Sequence, residues 1–505
     1  MTDRDSIFDL LVIGGGINGA GIAADASGRG LKTILCEKSD LAKATSSAST
    51  KLIHGGLRYL EYYEFSLVRK ALMEREVLLK AAPHIIHPLA FHIPNLPHTR
   101  HPLLVRTGLW LYDHLARRVA FKSSRTIRFD PNDSPFKPEI SSGFEYWDGQ
   151  VDDARLVILN AMLAEQHGAS ILNRTECRGL QEDAGFWVAK LYDRAGDREY
   201  EIKARAVVNA AGPWVSRLTE RLTGKPSLYA TRLVKGSHIV VPKVHEGDEA
   251  FMLQHDDGRV IFVIPYLDEY SLIGTTEKEY DDDLDKVEIS EEETAYLIKV
   301  VNSYLKKQLE LTDVVFSYSG VRPLIDEEGK SASSVSRDYR LELEKGFKLP
   351  LLSVYGGKVT TYRVLAEDAM DELREFFPTM GKDWTHNATL PGGDFLDRSK
   401  LLQKLHEKYV WLGNEMADRL VDSYGTLAFD ILADADGVQD LGKRFGHNLY
   451  QKEVDYLCQV EWAQSADDIL WRRSKLGFQF NQQEREALEQ YLDRPSPGAS
   501  SHNQV

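Results

Sequence analysis

A parallel α/β domain, interrupted by an antiparallel sheet and followed by a separate helical domain, is the fold class this sequence predicts. Three observations carry that expectation. The chain opens on a strand, glycine turn, helix, strand and acid, "FDLLVIGGGINGAGIAADASGRGLKTILCEKSD". A second strand and turn of the same kind, "ARAVVNAAGPWV", arrives only at residues 204–215. From about residue 397 the pattern is nearly all helical, with aromatics scattered through it. A chain of 505 residues also exceeds one ordinary core.

The opening unit comes first. Leu10 to Ile13 are apolar and suit a buried parallel strand. Gly14, Gly16 and Gly19 follow as G-x-G-x-x-G. The first allows the tight turn, the second lets backbone approach a pyrophosphate, and the third lets helix and strand pack closely. The helix that starts there offers free N–H groups and a positive dipole end to phosphates. Ala20, Ala23, Ala24 and Ala26 keep its packing side small. Leu31 to Leu35 form the second strand, and Glu37 falls where an acid takes ribose hydroxyls. A lone G-x-G-x-x-G is a weak signal, but here every neighbouring element is in register.

The layout decides which dinucleotide. An NAD enzyme would continue with regular βαβ repeats. This chain runs instead into a small-polar loop and helix, "TSSASTKLIHGGLRYLEYYEF". The sheet resumes at Val207 and Val208, and Ala211–Gly212–Pro213 turns sharply into a helix. That late return is typical of FAD folds with inserted substrate segments, so FAD is expected.

The rest follows by pattern. Residues 58–82 read as a helix stopped by Pro83, and residues 153–167 as another. Residues 186–208 are strand-like, as are "SHIVV", "VIFVIPY" and "YSLIGTT" within 235–276. These predict an antiparallel sheet roofing the cofactor. Residues 290–309 read as a helix, with Ser290 and Glu293 set for a capping box. "PLLSVYGGKVTTYRVLAEDAMDELREFF" reads as strand, glycine turn and long helix. One oxidoreductase domain is therefore expected over 1–385, with FAD-binding segments near 8–60, 150–215 and 345–377. Substrate or cap segments take 84–149 and 216–344. A linker (386–396), a helical domain (397–492) and a disordered tail (493–505) follow.

Bulk properties narrow the function. The net charge of −15 argues against a general nucleic-acid binder. Cys36, Cys177 and Cys458 lie far apart without a CxxC, so neither a disulfide framework nor a metal site is expected, and a reducing compartment fits. The start "MTDRDSIFDLL" does not read as a signal or transit peptide. No uncharged apolar run approaches the ~18 residues of a membrane span.

Seven motifs, "VIGGGINGAGIAADASGRGL", "ATSSASTKLIHGGLRYLE", "FEYWDGQVDDARL", "NAAGPWV", "KGSHIVVP", "YSGVRPL" and "SVYGGKVTTYR", resemble the FAD-dependent glycerol-3-phosphate dehydrogenases, above all the bacterial aerobic, quinone-linked type. The resemblance covers nearly the whole chain. It implies a D-amino-acid-oxidase-like fold and oxidation of sn-glycerol 3-phosphate to dihydroxyacetone phosphate. The implied FAD contacts are Gly14, Gly16, Asn18, Gly19 and Glu37 at the first turn, and Ser46, Ser47, Ser49, Lys51 and Leu52 in the loop after it. Cys177, Ala211, Gly212, Gly357, Lys358 and Thr360 complete them.

The chemistry needs cations for a phosphate, a base for a hydroxyl proton and a path for hydride. In "HGGLRY", His54 and Arg58 flank two glycines that leave room for a ligand, with Tyr59 shaping the pocket. In "YSGVRPL", Arg322 carries a fork that stays charged and can stabilise a developing alkoxide or ketone oxygen. In "GGKVTTYR", a helix expected to begin near Lys358 aims its positive end inward, and Lys358 can reach the phosphate. Each motif alone would suit a bland structural role; together, and in this family's order, they read as a site. His238 in "KGSHIVV" is a second candidate base beside His54, since a histidine's ordinary pKa of ~6.5 lies near working pH. The catalytic candidates are therefore His54, His238 and Arg322, with Arg58, Tyr59 and Lys358 for the substrate.

Reoxidation points to the membrane. Residues 100–128 hold seven Lys or Arg against one acid, with Leu103, Leu104, Leu109, Trp110, Leu111 and Tyr112 among them. The segment suits an anionic lipid surface as well as it suits a core helix with a solvated basic end. A membrane quinone, peripheral attachment at the inner face of a bacterial plasma membrane, and a homodimer are the partner expectations. In "EWAQSADDILWRRSKLGF", Asp467, Asp468, Arg472 and Arg473 are expected to pair within the helical domain. Three other readings stay open: an oxidase using oxygen, an amine or amino-acid oxidase of the same superfamily, and a flavin-binding scaffold without activity.

Overall fold

The computed structural model describes residues 7–96, 99–325 and 338–493. Apart from Asp493, the tail expected to be disordered lies outside them. Strand Ile7–Ile13 is the centre of the first sheet, with Leu10, Leu11 and Val12 wholly shielded from solvent. It pairs in parallel with Thr33–Cys36 on one side and with the end of Arg198–Asn209 on the other. Leu351–Tyr355 and Ser170–Leu172 complete five parallel strands. Burial on both faces explains the apolar runs at Leu10–Ile13, Ile34–Cys36 and Val207–Val208.

Helix Ile17–Gly28 lies on this sheet and packs against Asp153–Gln166 and Tyr362–Glu372. Its small residues are what permit the fit. A Cβ on Gly21 would stand 2.7 Å from the Tyr362 ring, and one on Gly28 would stand 2.1 Å from Trp384. Ten of its residues are buried, so it is apolar nearly all round, as a core helix must be.

The second sheet is mostly antiparallel. Strands Thr231–Pro242, Tyr270–Gly274, Val260–Tyr266 and Ala250–Gln254 continue into Ile86–Pro94 and Ser142–Val151. Phe316–Ile325 pairs along the free edge of Thr231–Pro242. Helix Glu291–Tyr304 covers one face, and its capping box between Ser290 and Glu293 is formed as expected. That helix ends at Tyr304 rather than Leu309, because Leu305 turns to extended backbone.

Several expectations are corrected. The helix over 58–82 is two pieces, a 3-10 turn Leu57–Tyr62 and helix Phe65–Ala81, broken where Tyr63 adopts a left-handed φ of 60°. Val207 and Val208 are not a short strand but the end of a twelve-residue one. No helix begins at Lys358; a 3-10 turn Val359–Thr361 precedes helix Tyr362–Glu372. Arg340–Leu343, placed in the cap by pattern, forms an edge of the parallel sheet, while Leu52–Ile53 pairs into the cap sheet.

The C-terminal region builds its own core from helices Arg398–Lys408, Asn414–Tyr424, Gln451–Val460 and Gln482–Leu492. A two-stranded hairpin, Arg444–Gly446 with Leu449–Tyr450, interrupts the helical pattern. The charges of "DDILWRR" do not pair only within this domain. Arg472 and Arg473 both reach Asp40 of the first domain, at 2.5 and 2.7 Å, while Arg174 reaches Asp468 at 2.7 Å. Spacing along one helix could not show this, since Asp40 is supplied by a distant segment.

Gly19 is among the tightest points in the fold. A Cβ there would stand 1.9 Å from the Gly14 carbonyl oxygen, a backbone atom that cannot rotate away. Gly19→Ala is expected to cost ~1–3 kcal/mol of stability by urea unfolding; an unchanged midpoint would show that helix and turn separate freely.

Candidate active site

A cavity of about 790 Å³ lies between the two sheets, at the carboxyl ends of the parallel strands. That is where open α/β sheets bind ligands, and the volume falls in the upper range for ligand sites. Its wall includes Gly14, Gly16 and Asn18 of the first turn, and Glu37, Cys177, Ala211 and Gly212. Ser46, Ser49, Leu52, His54, Tyr59, His238, Arg322, Gly357, Lys358 and Thr360 also line it.

The geometry suits a dinucleotide. Gly14, with φ +115°, presses on the Ala210 carbonyl, which would stand 2.6 Å from an added Cβ. Gly212, with φ +55°, has nothing within 4 Å of where a side chain would begin. It leaves backbone open to the cavity. No side chain of the N-cap Gly16 blocks the helix end, and the Ser46 hydroxyl meets the Ile17 N–H at 3.0 Å. Glu37 accepts from the N–H groups of Gly15 (2.7 Å) and Ser39 (2.8 Å). Burial raises its pKa against those two donors. One carboxylate thereby braces the turn and faces the cavity. Cys177 is a buried thiol whose pKa burial pushes up to about 12, so it contributes shape rather than reactivity.

Three sequence clusters converge on the other part of the wall. Asn18 donates to the Gly356 carbonyl at 3.1 Å. The His54 N–H donates to Thr360 Oγ1 at 3.1 Å, tying "HGGLRY" to "GGKVTTYR". The Lys358 ammonium sits 3.7 Å over the Tyr59 ring. His238 and Arg322 come from adjacent antiparallel strands, where Val234 pairs with Arg322 and His238 with Tyr318. The His238 ring stacks on Tyr318 at 4.9 Å and its Nε2 meets Thr50 Oγ1 at 3.0 Å. Arg322 lies 3.9 Å from the Glu277 carboxylate.

Four expected site residues are not on the wall. The Gly19 Cα is closed off by Gly14, so its role is packing. The Ser47 hydroxyl turns to the Ala44 carbonyl at 3.3 Å. Lys51 is buried and its ammonium meets Asp153 at 2.7 Å, beside the Ser49 hydroxyl at 2.7 Å from the same carboxylate. Against the pull of burial, Lys51 and Lys475 hold Asp153 below the usual carboxylate range. Arg58 does not line the cavity: its Nε is buried and its charge lies near Tyr296, while the neighbouring Tyr59 faces the cavity.

Sequence reasoning missed other wall residues. Thr50 carried no signal beyond small-polar composition, yet it holds His238. Trp214 stands in a motif quoted for its turn, not its ring; Lys38 lies 4.2 Å over it and pairs with Asp285 at 2.7 Å. Among the described residues no cluster of His, Cys, Asp or Glu is arranged to hold a metal.

Burial, aided by the nearby Lys51 and Arg322 charges, lowers the His238 pKa to about 3. Its neutral ring therefore stays neutral in the fold while the unfolded chain takes a proton below ~6.5. Stability is then lost as pH falls from about 6.5 toward 3. His238→Gln is expected to flatten urea-denaturation stability across that window. An unaltered pH profile would show that this ring is not the source of acid sensitivity.

Comparison with known proteins agrees with this geometry. Residues 9–363 match the family described as FAD dependent oxidoreductase, and residues 384–495 match the C-terminal domain of alpha-glycerophosphate oxidase. A glycerol-3-phosphate dehydrogenase of Pseudomonas aeruginosa is 52% identical over 97% of this chain and 96% of its own. A D-erythritol 1-phosphate dehydrogenase of Brucella abortus is 47% identical over 96% and 97%. The structure of a Bacillus halodurans glycerol-3-phosphate dehydrogenase complexed with FAD superimposes with a TM-score of 0.74, at 26% identity, over 97% of this chain and 94% of that one. Likeness at this level along the full length of both chains, around a dinucleotide-sized cavity under a glycine turn, places the chain in the FAD-dependent glycerol-3-phosphate dehydrogenase family, an FAD enzyme in a D-amino-acid-oxidase-like fold.

Proposed function

We propose that this enzyme oxidises sn-glycerol 3-phosphate at C2 to dihydroxyacetone phosphate and passes the electrons to a membrane quinone. The observation that carries the substrate class is the meeting of two cations, Arg322 and Lys358, with a neutral buried histidine on one cavity wall. An amino-acid oxidase would need one fork for a carboxylate; a phosphate ester of a secondary alcohol uses one cation for the phosphate and another for the alcohol oxygen that becomes negative.

The residues that would hold FAD are Gly14, Gly16, Asn18 and Glu37 at the first turn, Ser46, Ser49 and Leu52 in the loop, and Cys177, Ala211, Gly212, Gly357 and Thr360 beyond. Bound FAD supplies the hydride acceptor. A histidine takes the C2 hydroxyl proton: His54, or His238, whose ring the Thr50 hydroxyl orients but whose lowered pKa makes it the weaker base in the absence of the substrate dianion. Arg322 stabilises the charge that develops on the C2 oxygen. Lys358 holds the phosphate, and Tyr59 shapes the pocket under it. Arg58, which does not line the cavity here, is the further phosphate cation that the family resemblance implies. His54 is held through its backbone by Thr360 and lines the site.

Helix Pro102–His114 supports the membrane reading. Its Val105, Leu109 and Tyr112 are buried in the core, while Leu103, Leu104 and Trp110 are exposed, each by more than half. The turn Leu57–Tyr62 packs on this helix, and just beyond it Tyr63 is 81% exposed. Three of the basic residues nearby are committed to Glu61, Asp113 and Glu145. The apolar face therefore does more of the anchoring than composition indicated. No helix among the described residues is long and apolar enough to cross a membrane, and attachment at the inner face of a bacterial plasma membrane is the location proposed.

Anaerobic titration with sn-glycerol 3-phosphate is expected to bleach the flavin, and a quinone analogue to restore it faster than air. Bleaching by D-erythritol 1-phosphate alone would shift the substrate to a longer polyol phosphate, the reading favoured by the 47% identical relative. Rapid recolouring in air would instead make the enzyme an oxidase. Arg322→Ala is expected to lower kcat by ~10²–10³-fold, while Lys358→Met raises KM. Replacing Leu103, Leu104 and Trp110 by Ser is expected to abolish co-sedimentation with anionic vesicles; full retention would refute this anchoring face.

A further inference from the structure

Asp40 lies three residues beyond Glu37 and is buried, 2% exposed. Its carboxylate accepts from Arg472 Nε at 2.5 Å and from both terminal nitrogens of Arg473, at 2.7 and 2.9 Å. Asn173 adds a fourth donor at 3.2 Å. The two arginines end the irregular helix Asp468–Arg473 of the C-terminal domain. They are fixed in turn: Arg472 by Asp468 at 2.6 Å, and Arg473 by the Glu461 carbonyl at 2.7 Å.

The segment Asp40 anchors is the outer brace of the glycine turn. Glu37 takes the Gly15 N–H at 2.7 Å, and the Ala42 N–H donates to the Gly15 carbonyl at 2.9 Å. Both polar groups of Gly15 are thus held by residues flanking Asp40. A Cβ on Gly15 would stand 2.7 Å from Glu37 and Leu41 side chains, so turn and brace are in direct contact. Glu37, Lys38, Ser39, Ala42 and Lys43 line the cavity themselves.

From this arrangement we propose that the C-terminal domain is part of the FAD site at one remove: Asp40 is a positioning residue, and Arg472 and Arg473 lock through it the brace that sets the glycine turn. The lock is rigid because both guanidinium groups are buried, Arg473 forks onto the carboxylate and Arg472 bridges it to Asp468, and the two arginines hold the ionised carboxylate below its usual range against burial. Residues 37–43 carry no regular secondary structure; backbone hydrogen bonds to Leu172, Arg174 and Thr175 and the burial of Leu41 hold them beside this ion cluster. Among the described residues, none of the C-terminal domain lines the main cavity, so any contribution it makes to cofactor retention runs through contacts of this kind.

The test is the rate at which diluted holoenzyme releases FAD, followed by recovery of flavin fluorescence, in two variants. Asp40→Asn keeps the shape and removes the charge. Glu453→Gln breaks a comparable buried fork, Arg419 to Glu453 at 2.6 and 2.7 Å, inside the C-terminal domain and away from residues 37–43. Asp40→Asn is expected to speed FAD release by about tenfold or more, with kcat restored at saturating FAD. Glu453→Gln is expected to lower the melting temperature while leaving release within about twofold. Equal acceleration in both variants would reduce the effect to general destabilisation and overturn the proposal. So would unchanged release in Asp40→Asn. If Asp40→Asn fails to fold, Arg473→Lys, which keeps the charge and loses the fork, serves the same comparison.

Discussion

The approach of bare backbone to bare backbone at the glycine turn is the constraint on which the rest depends. Gly14 meets Ala210, and Gly19 meets Gly14, at distances that exclude any side chain. These contacts draw helix Ile17–Gly28 down onto the parallel sheet, and only a helix of small residues can lie that close. Tyr362 and Trp384 then fill the room left by Gly21 and Gly28. The large residues of the helix Tyr362–Glu372 and of the segment after it are thus explained by the small ones of the first helix. Ala20, Ala23, Ala24 and Ala26 follow from the same closeness.

A second pair of glycines does comparable service in the cap. Gly236 and Gly320 face each other across adjacent strands. A Cβ at Gly236 would crowd Thr275 and Arg322, and one at Gly320 would meet Ala48 at 3.1 Å. Along each strand alternate residues share a face, so the glycine pair sits between the His238–Tyr318 pair and the Val234–Arg322 pair. The gap lets the loop around Ala48 and Thr50 come against the sheet. It also leaves room between His238 and Arg322 for the Thr275 hydroxyl and Ala48 to close against the strands.

How much of this was legible in the sequence depended on whether the cause was local. The glycine turn, the alanine helix, the capping box at Ser290 and the strands around His238 follow from short-range sterics and periodicity, and all were readable. The break at Tyr63 was not, because a left-handed tyrosine has no compositional mark. Which of Arg58 and Tyr59 faces the cavity depends on the start and phase of the six-residue 3-10 turn Leu57–Tyr62, which its sequence does not mark. Lys51 and Ser49 looked like cofactor ligands in a polar loop. Their partner, Asp153, stands at the start of a helix a hundred residues away. The pairing of Arg472 and Arg473 with Asp40 is hidden for the same reason.

Charge poses the last question, since a chain of net charge −15 is proposed to take a phosphate dianion. At physiological salt the field of a surface carboxylate decays within ~8 Å, so the acidic exterior has little reach into the cleft. Inside it, screening ions are scarce and low-dielectric walls strengthen what charge is present. Many of the acids near the wall are already answered: Asp153 by Lys51, Glu293 by Lys235, Asp285 by Lys38. Lys358 and Arg322 sit on the wall itself, where an anion would meet them before any carboxylate of the surface. The Glu277 carboxylate, 3.9 Å from Arg322, is too far for a strong ionic hydrogen bond. Net charge and local function therefore separate cleanly: the first keeps the protein dispersed, and the second is set by which few cations the two sheets bring to the same wall.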